Sequence, residues 1–410
     1  MNHDARAMRV LLERAFREAL TAVDVEARVR RAVPRLVPRS SAVRIVAVGK
    51  AAPAMARGAM AALGDRVVAA LVIAPDGTPL GALDSRAEIV RAAHPLPDER
   101  SVFAAARALA MARAAGRARG DVFLALVSGG ASSLLCAPYR ATLARKVEVV
   151  RSLLHANATI AEINVVRRHA SRVKGGALLH AARPARVISL LVSDVIGGAP
   201  YDIGSGPTLT DPTQRAHARD VLTRYAISSL PLRESVAPSS ADARRAVHRV
   251  VASPSDLAAA LRSTLARAGL WASVLPSRTA DIAWFASSYA SLAHRLGRGE
   301  AIVRAAEPTI QIDVARPGRG GRASHLAAVV AASLPRDVLF FAAASDGVDG
   351  NSGAAGAIVD CTSFADLAPR EVSRKIARFD TASLHEATGT AIAGSPSGHN
   401  LADVHVLVRL

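Results

Sequence analysis

DVFLALVSGGASS (Asp121–Ser133) is the stretch that decides the fold. Its apolar run has the length of a strand and stops on serine and paired glycines. A strand covered on both faces carries such a continuous run, whereas a half-exposed strand alternates. The same design recurs at RIVAVG (Arg44–Gly49), VVAALVIA (Val67–Ala74) and RVISLLV (Arg186–Val192). Segments of helical period lie between and before these runs. Over residues 5–35, Leu11, Leu12, Ala15, Ala19 and Leu20 share one helical face. Pro95 and Pro97 break the chain ahead of another helix, which Ser101 can cap. Strands alternating with helices predict an α/β fold with a mostly parallel sheet and flanking helices.

Further along, residues 212–245 are polar and rich in Arg and Ser, with no clear period. They read as a loop region near a domain boundary. Beyond them, Val250–Ala252, Ala272–Leu275, Ala301–Val303, Thr309–Ile312, Val338–Ala343 and Val404–Leu410 are strand candidates. Ser255–Ala268 and Ser324–Leu334 are helix candidates. A second α/β unit therefore follows the first. No internal repeat of fixed period is present.

The 410 residues suffice for two or three domains, and 50% hydrophobic content supports a sizeable core. Two cysteines, Cys136 and Cys361, exclude a disulfide scaffold and a four-cysteine zinc site. No apolar run is long enough to span a bilayer, and the charged N-terminal helix is no signal peptide. A soluble cytoplasmic protein is expected, without a membrane partner. The net charge of +18 comes almost wholly from arginine, because lysine occurs only at Lys50, Lys146, Lys174 and Lys375. The arginines are dispersed, and the four tyrosines and two tryptophans do not cluster with them, so no nucleic-acid partner is expected. A positive field would instead draw in small anions.

Six loops combine glycine with Ser, Asp, Lys or Arg, several of them directly after an apolar strand. Ligands of open α/β sheets bind beyond the carboxyl ends of strands, and glycine lets backbone N–H groups approach an anion. In VGKAA (Val48–Ala52), Gly49 and Lys50 place a compact ammonium where phosphate or carboxylate can sit; the GxxxxGK[ST] spacing is absent. The bland alternative is a surface lysine at a helix start. In SGGASS, Ser128, Gly129, Gly130 and Ser132 can nest a phosphate, or form a plain tight turn; there is no GxSxG nucleophile elbow. In NVVRRHASRVKGG (Asn164–Gly176), Asn164, Arg167, Arg168 and Ser171 share a helical face, and Lys174 precedes a Gly-Gly stop. That face suits an anion or is simply solvated, while His169 reads as structural.

Asp194 follows a hydrophobic strand in SDVIGG, where it can bind Mg²⁺ or accept a hydroxyl proton. Gly320, Gly321 and Arg322 in GRGGRASH (Gly318–His325) offer a guanidinium fork on a flexible backbone. Asp346 and Gly347 open SDGVDGNSG (Ser345–Gly353), which looks like part of a calcium loop but lacks its terminal Glu. Together these are the parts of phosphoryl transfer, where positioning and charge neutralisation dominate. A non-catalytic sugar-acid sensor would use the same loops.

At these residues the chain resembles the glycerate 2-kinase, or MOFRL, family, some members of which carry the label hydroxypyruvate reductase. The matching stretches are VGKAAPAM (48–55), AAHPLPDERS (92–101), SGGASSLL (128–135), NVVRRHASRVKGGAL (164–178), LVSDVIGGAPYDIGSGPTLTDPT (191–213), GRGGR (318–322), ASDGVDGNSGAAGAIVD (344–360) and GSPSGHNLADV (394–404). They run in family order along nearly the whole chain. The resemblance implies an N-terminal α/β glycerate kinase domain at 1–240, a smaller mixed α/β MOFRL domain at 241–410, and a cleft between them. It implies transfer of the γ-phosphoryl of ATP to the 2-hydroxyl of D-glycerate with Mg²⁺, in a monomer or homodimer. Lys50, Asp194 and Arg322 correspond to the family's catalytic lysine, aspartate and arginine. Gly49, Ser128, Gly129, Gly130, Ser132, Lys174, Gly320, Gly321, Asp346 and Gly347 are then the nucleotide- and phosphate-binding candidates. Asp194 and Asp346 are the metal candidates.

The chain departs from the family in places. Ala323, Ser324 and His325 stand where Asn-Gln-Glu is usual, which removes an acidic group from the expected site. Ala306-Glu307-Pro308-Thr309, Ser345-Asp346-Gly347 and Gly394–Asn400 also differ from the usual segments. Hydroxypyruvate reduction, or a kinase for another small 2-hydroxy acid, is the alternative activity. The reductase needs GxGxxG after a strand, which neither GKAAPA nor SGGASS supplies.

Overall fold

A computed structural model describes residues 3–117, 120–228, 230–398 and 400–410. Met1 and Asn2 of the expected first helix, and His399 of the 394–404 motif, lie outside the described residues. Two compact units emerge: Val25–Asp194 with Gly198–Ala252, and the residues up to Asp24 with Val195–Gly197 and Ser253–Leu410. Among the described residues no helix is long and apolar enough to cross a membrane.

The first unit holds six parallel strands: β1 (Val43–Val48), β2 (Val67–Pro75), β3 (Ala87–Ala92), β4 (Val122–Val127), β5 (Arg186–Val192) and β6 (Ala246–Ala252). Their order is β3-β2-β1-β4-β5-β6. The four apolar runs read from the sequence are β1, β2, β4 and β5. β4 is buried at every residue and β1 at all but Arg44, as central strands covered on both faces must be. A fully buried Val, Leu or Phe in such a strand contributes roughly 1.5–3 kcal/mol of apolar transfer. β3 and β6 form the edges and are only partly buried, and charged Glu88 and Arg91 interrupt β3, which hid it from the sequence reading. Val250–Ala252, expected with the second unit, is the end of β6 in this first sheet. From β1 the chain first winds outward to β2 and β3, then returns to add β4 on the other side. That reversal puts a crevice at the carboxyl ends of β1 and β4.

The local rules are visible at the helix starts. Helix Glu99–Ala115 is capped by Asp98, whose side chain accepts from the Ser101 backbone while the Ser101 side chain bonds back to the Asp98 N–H. Ser101 is thus the reciprocal partner of the cap and not the cap itself. Helix Arg215–Arg224 forms inside the segment read as loop; it buries Ala218, Val221 and Leu222 at helical spacing against Val149, Ile163 and Val166. Three isolated apolar residues among arginines give too faint a period to read without that partner face.

The second unit is built on a mixed sheet in the order β12-β11-β10-β13-β9-β7, with β8 also beside β9. The strands are β7 (Trp271–Val274), β8 (Arg278–Asp281), β9 (Glu300–Thr309), β10 (Val338–Ala344), β11 (Ala354–Val359), β12 (Ala391–Ala393) and β13 (Asp403–Arg409). β13 lies antiparallel to both β9 and β10, while β7 and β8 run parallel to β9. The expected strands at Ala301–Val303 and Thr309–Ile312 are one strand, β9, joined through Arg304–Ala306 and ending at Thr309. Helix Arg322–Ala331 buries eight residues, and five of them, Ala323, Leu326, Ala327, Val330 and Ala331, join the core packed on this sheet. The first helix, His3–Ala22, also belongs here. Phe16 meets Phe341 of β10 edge-on at 5.4 Å, and Arg9 donates to the Ile358 carbonyl at 2.6 Å and to Asp360 at 3.2 Å.

The α/β class, with a mostly parallel first sheet and a mixed second one, is as the sequence predicts.

Candidate functional site

In the first unit the loops after β1 and β4 are laced together. Ser128 N donates to the Val48 carbonyl at 2.9 Å, and Lys50 N donates to the Gly129 carbonyl at 2.9 Å. Ala51 N donates to Ser128 Oγ at 3.1 Å. Gly49 makes this approach possible. Its φ is +123°, and a Cβ there would fall 2.1 Å from Ser128 Oγ and 2.6 Å from the Ser128 carbonyl oxygen. Gly130 then lies against Lys50 and the His94 ring, so Gly49, Lys50, Ser128, Gly129 and Gly130 meet at the strand ends.

Ser132 and Lys174 belong to the same neighbourhood. Ser132 Oγ is 2.8 Å from Ser205 Oγ, and Lys174 Nζ donates to the Ser132 carbonyl at 2.9 Å and the Gly204 carbonyl at 3.2 Å. Burial drives the Lys174 pKa well below its ordinary value, and the nearby Lys146 charge adds to that. Asp194 stands half-buried just past β5, while Ser193 N is tied to the Ala252 carbonyl at 2.9 Å.

The long motif at 191–213 is largely scaffold. Arg168 donates to Asp211 at 2.9 Å and Asp202 at 3.1 Å, and the backbone N–H groups of Gly175, Gly176 and Leu178 bond the carbonyls of Ser205, Gly206 and Pro207. Arg168 is therefore a buried strut, not part of an open basic face, and Ser171 lies beyond the helix end at His169. His169 is structural as expected: its ring nitrogens lie 2.8 Å from the Arg233 carbonyl and 3.1 Å from Thr213 Oγ1.

The second unit gathers a different set. Gly321 precedes helix Arg322–Ala331, whose first N–H groups are capped by a buried carboxylate from another loop: Asp349 accepts from Ala323 N at 3.0 Å and Ser324 N at 2.8 Å. A side chain at 321 would collide with Asp349 Oδ1 at 2.1 Å, so glycine is required. Gly320 N donates to Asn351 Oδ1 at 2.7 Å and its carbonyl accepts from Asn351 N at 2.9 Å. Val348 N bonds Asp346 Oδ1 at 3.1 Å, and Ser397 N bonds the Asp346 carbonyl at 2.9 Å, so Asp346 and Gly347 are pinned to the 394–398 loop. The loops at 318–322, 345–353 and 394–398 thus form one cluster.

Arg322 is the centre of that cluster. Its Nη1 donates to Glu307 Oε1 at 3.0 Å, and its Nη2 lies 3.6 Å from Asp403 Oδ1. Burial works against its charge, yet Asp403 and Glu307 outweigh burial and leave its pKa raised. Asp403 is fully enclosed and its Oδ2 has no hydrogen-bond partner. Burial pushes its carboxyl up to about 7; Arg322 opposes this, and Asp349, Glu307 and Asp346 reinforce it. Asp349, Glu307 and Asp403 were not among the sequence-predicted site residues. All three lie in matched or divergent motif segments, but nothing in their order along the chain says they converge on Arg322. His325 brings no acidic group, and the carboxyls around Arg322 come from Glu307, Asp349 and Asp403. His325 stacks on Phe379 at 5.0 Å between ring centroids, and burial lowers its pKa.

Comparison with known proteins follows this division. Residues 11–237 match the family described as "Domain of unknown function (DUF4147)", and residues 300–403 match the MOFRL family. A "Putative hydroxypyruvate reductase" from Agrobacterium vitis is 32% identical over 98% of this chain and 94% of its own length. A "D-glycerate 2-kinase" from Thermotoga maritima is 28% identical over 98% of both chains. The crystal structure of a glycerate kinase from Thermotoga maritima superposes with a TM-score of 0.84 at 27% identity, covering 99% of this chain and 100% of that one.

Proposed function

The chain belongs to the family that joins a DUF4147 domain to a MOFRL domain, and from that premise we propose that it is a glycerate kinase that uses ATP to phosphorylate the 2-hydroxyl of D-glycerate. The observation that carries this reading is the seating of Lys50 against the Gly129–Gly130 backbone at the strand-order reversal of a parallel sheet. In the proposed reaction the 2-hydroxyl oxygen forms a bond to the γ-phosphorus. The bond to the β-phosphate oxygen breaks, and the hydroxyl proton leaves with Asp194. Lys50 holds the glycerate carboxylate or the migrating charge, and Arg322 neutralises negative charge on the phosphoryl oxygens. The glycine loops at 128–133 and 318–321, or 345–353, take the nucleotide phosphates.

Among the described residues no three His, Cys, Asp or Glu side chains gather to hold a metal unaided. Mg²⁺ needs less: one or two carboxylates suffice when phosphate oxygens and water complete its shell. Asp346, at the mouth of the 345–353 loop, brings a carboxylate of the kind such an ion takes. Asp194 and Asp346 would hold it, and it would supply charge neutralisation across the phosphates. Arg322 is aimed by Glu307.

Reduction of hydroxypyruvate is the second reading, favoured by one observation: β3-β2-β1-β4-β5-β6 is the strand order of dinucleotide-binding sheets. Against it, the turn after β1 carries a single glycine, Gly49. Asp76, the acid directly after β2, is bound through both oxygens by Arg100 at 2.9 and 2.7 Å. Fold alone does not assign function. Incubation with ATP, Mg²⁺ and D-glycerate, followed by phosphorus NMR, should show a new ester on the 2-oxygen. No ester, together with oxidation of a reduced nicotinamide by hydroxypyruvate, would transfer the assignment to the reductase.

A further inference from the structure

A sheet edge presents a row of unpaired backbone N–H and C=O groups, and proteins blunt such rows with charge, proline or brevity. Most edge strands here are blunted. β3 carries Glu88 and Arg91, β6 carries His248 and Arg249, β8 carries Arg278 and Asp281, and β12 has three residues. β7 (WASV) is built otherwise. It has no charge and no proline, and among the described residues its outer side meets no strand. Trp271 is 80% exposed and Val274 is 41% exposed. Leaving an indole in water forgoes the gain of burying it, whereas tryptophan is enriched where two proteins meet.

The backbone shows what can pair there. Trp271 N donates to the Gly299 carbonyl and Leu275 N to the Val303 carbonyl, both at 2.9 Å. Residues 271, 273 and 275 therefore face β9, while Ala272 and Val274 turn their N–H and C=O groups to the open side. Two outward residues with one between them are complementary to their own copy run antiparallel. We propose that the β7 edge is the seat of a second copy of this chain, paired strand to strand about a two-fold axis through Ser273. Ala272 then exchanges both of its backbone bonds with Val274 of the second copy, and the symmetric pair does the same. Trp271 comes to lie opposite the half-buried Leu275 of the second copy, so each indole gains an apolar neighbour. Beside the strand, at the end of helix Ile282–Arg295, runs a groove of about 370 Å³ lined by Leu292, Leu296 and Ile302. Its charged lining residues, Arg295 and Glu300, are opposite in sign. A chain of net charge +18 repels its like, but this balanced patch can meet itself. The pairing does not depend on the kinase reading.

The test is sedimentation of the full chain from about 1 to about 100 µM. The wild type should pass from monomer to dimer within that range. Ala272→Pro removes an outward N–H and leaves the bonds to β9 in place, as proline on the open side of an edge strand does. Trp271→Asp puts a charge where the indole stood. Each variant should raise the dissociation constant by about tenfold or more while keeping a cooperative melt. Hydrogen exchange supplies a reading on the wild type alone, which decides the matter should either variant fail to fold. The Ala272 and Val274 amides should exchange more slowly at the top of the concentration range than at the bottom. The interface is overturned by a wild type that stays monomeric, which would leave the edge to some other chain. It is equally overturned by folded variants that dimerise as the wild type does, or by amides at 272 and 274 whose exchange ignores concentration.

Discussion

The ends of the parallel sheet and the loops around Arg322 treat charge in opposite ways. The first gathers Lys50, Lys146, Lys174 and Arg167 with no carboxylate paired to the buried lysines. The second surrounds one arginine with Glu307, Asp346, Asp349 and Asp403. A net charge of +18 conceals this separation. The physical lesson is that each unit sorts its charge by itself: one encloses lysines without a carboxylate beside them, and the other crowds carboxyls around a single arginine.

The contrast is broken or sharpened by four measurements. The largest effect is expected on turnover. Lys50→Ala and Arg322→Ala should each lower kcat/KM by about 10²–10³, since on the proposed reading each removes a charge from the reacting phosphoryl; Lys50→Ala should keep its melting temperature, whereas Arg322→Ala, which strips the cation from enclosed Asp403, should lower it while leaving the chain folded. Near-normal rates in both variants would place the chemistry elsewhere. Next is the pH dependence of stability. The folded Asp403 carboxyl keeps its proton up to about pH 7, whereas the unfolded one releases it near 4. Unfolding therefore releases a proton in that window, and stability should fall as pH rises from about 4 to 7, by up to about 4 kcal/mol. Asp403→Asn should flatten that slope in urea titrations; an unchanged slope would assign the titration to another group. Asp349→Ala should come third. It strips the carboxylate cap from Ala323 and Ser324 N–H and should cost about 2 kcal/mol, read as a lower urea midpoint with an unchanged m. The smallest effect is expected at Arg319→Ala. Its partner Glu386 is exposed, and such pairs contribute about 0.2–1 kcal/mol.

Much of the first unit could be read in advance because parallel strands buried on both faces print themselves as unbroken apolar runs. β3, with Glu88 and Arg91 in an edge strand, leaves no such print. In the second unit, β11 (AAGAIV) and the middle of β9 are alanine-rich, and alanine signals neither strand nor helix strongly. The glycine-rich loops were legible as close-approach points, and Gly49 does lie against Ser128 and Gly129. The company of Arg322 was not legible. Glu307, Asp349 and Asp403 come from β9, a loop after β10, and β13, and only the register of a mixed sheet brings them together. Lys146 left no sign of its burial: lysine is rare in this chain, yet Lys375 pairs with Glu371 on a helix face while Lys146 is enclosed. Arg168 misled because helical spacing shows which residues share a face but not what covers it.

The helix His3–Ala22 is made before the parallel sheet and yet completes a unit whose sheet is made after it. Its seats, the Pro254–Arg267 helix and the Phe341 and Ile358 region, are translated only after the whole parallel sheet has been spelled out. Until then an amphipathic ribbon bearing Leu12, Phe16 and Leu20 must wait with its greasy side unclaimed. A fragment begun at Ser253 would inherit the mirror-image defect, an empty berth on its sheet, and should precipitate unless a peptide spanning residues 1–24 is added back to fill it.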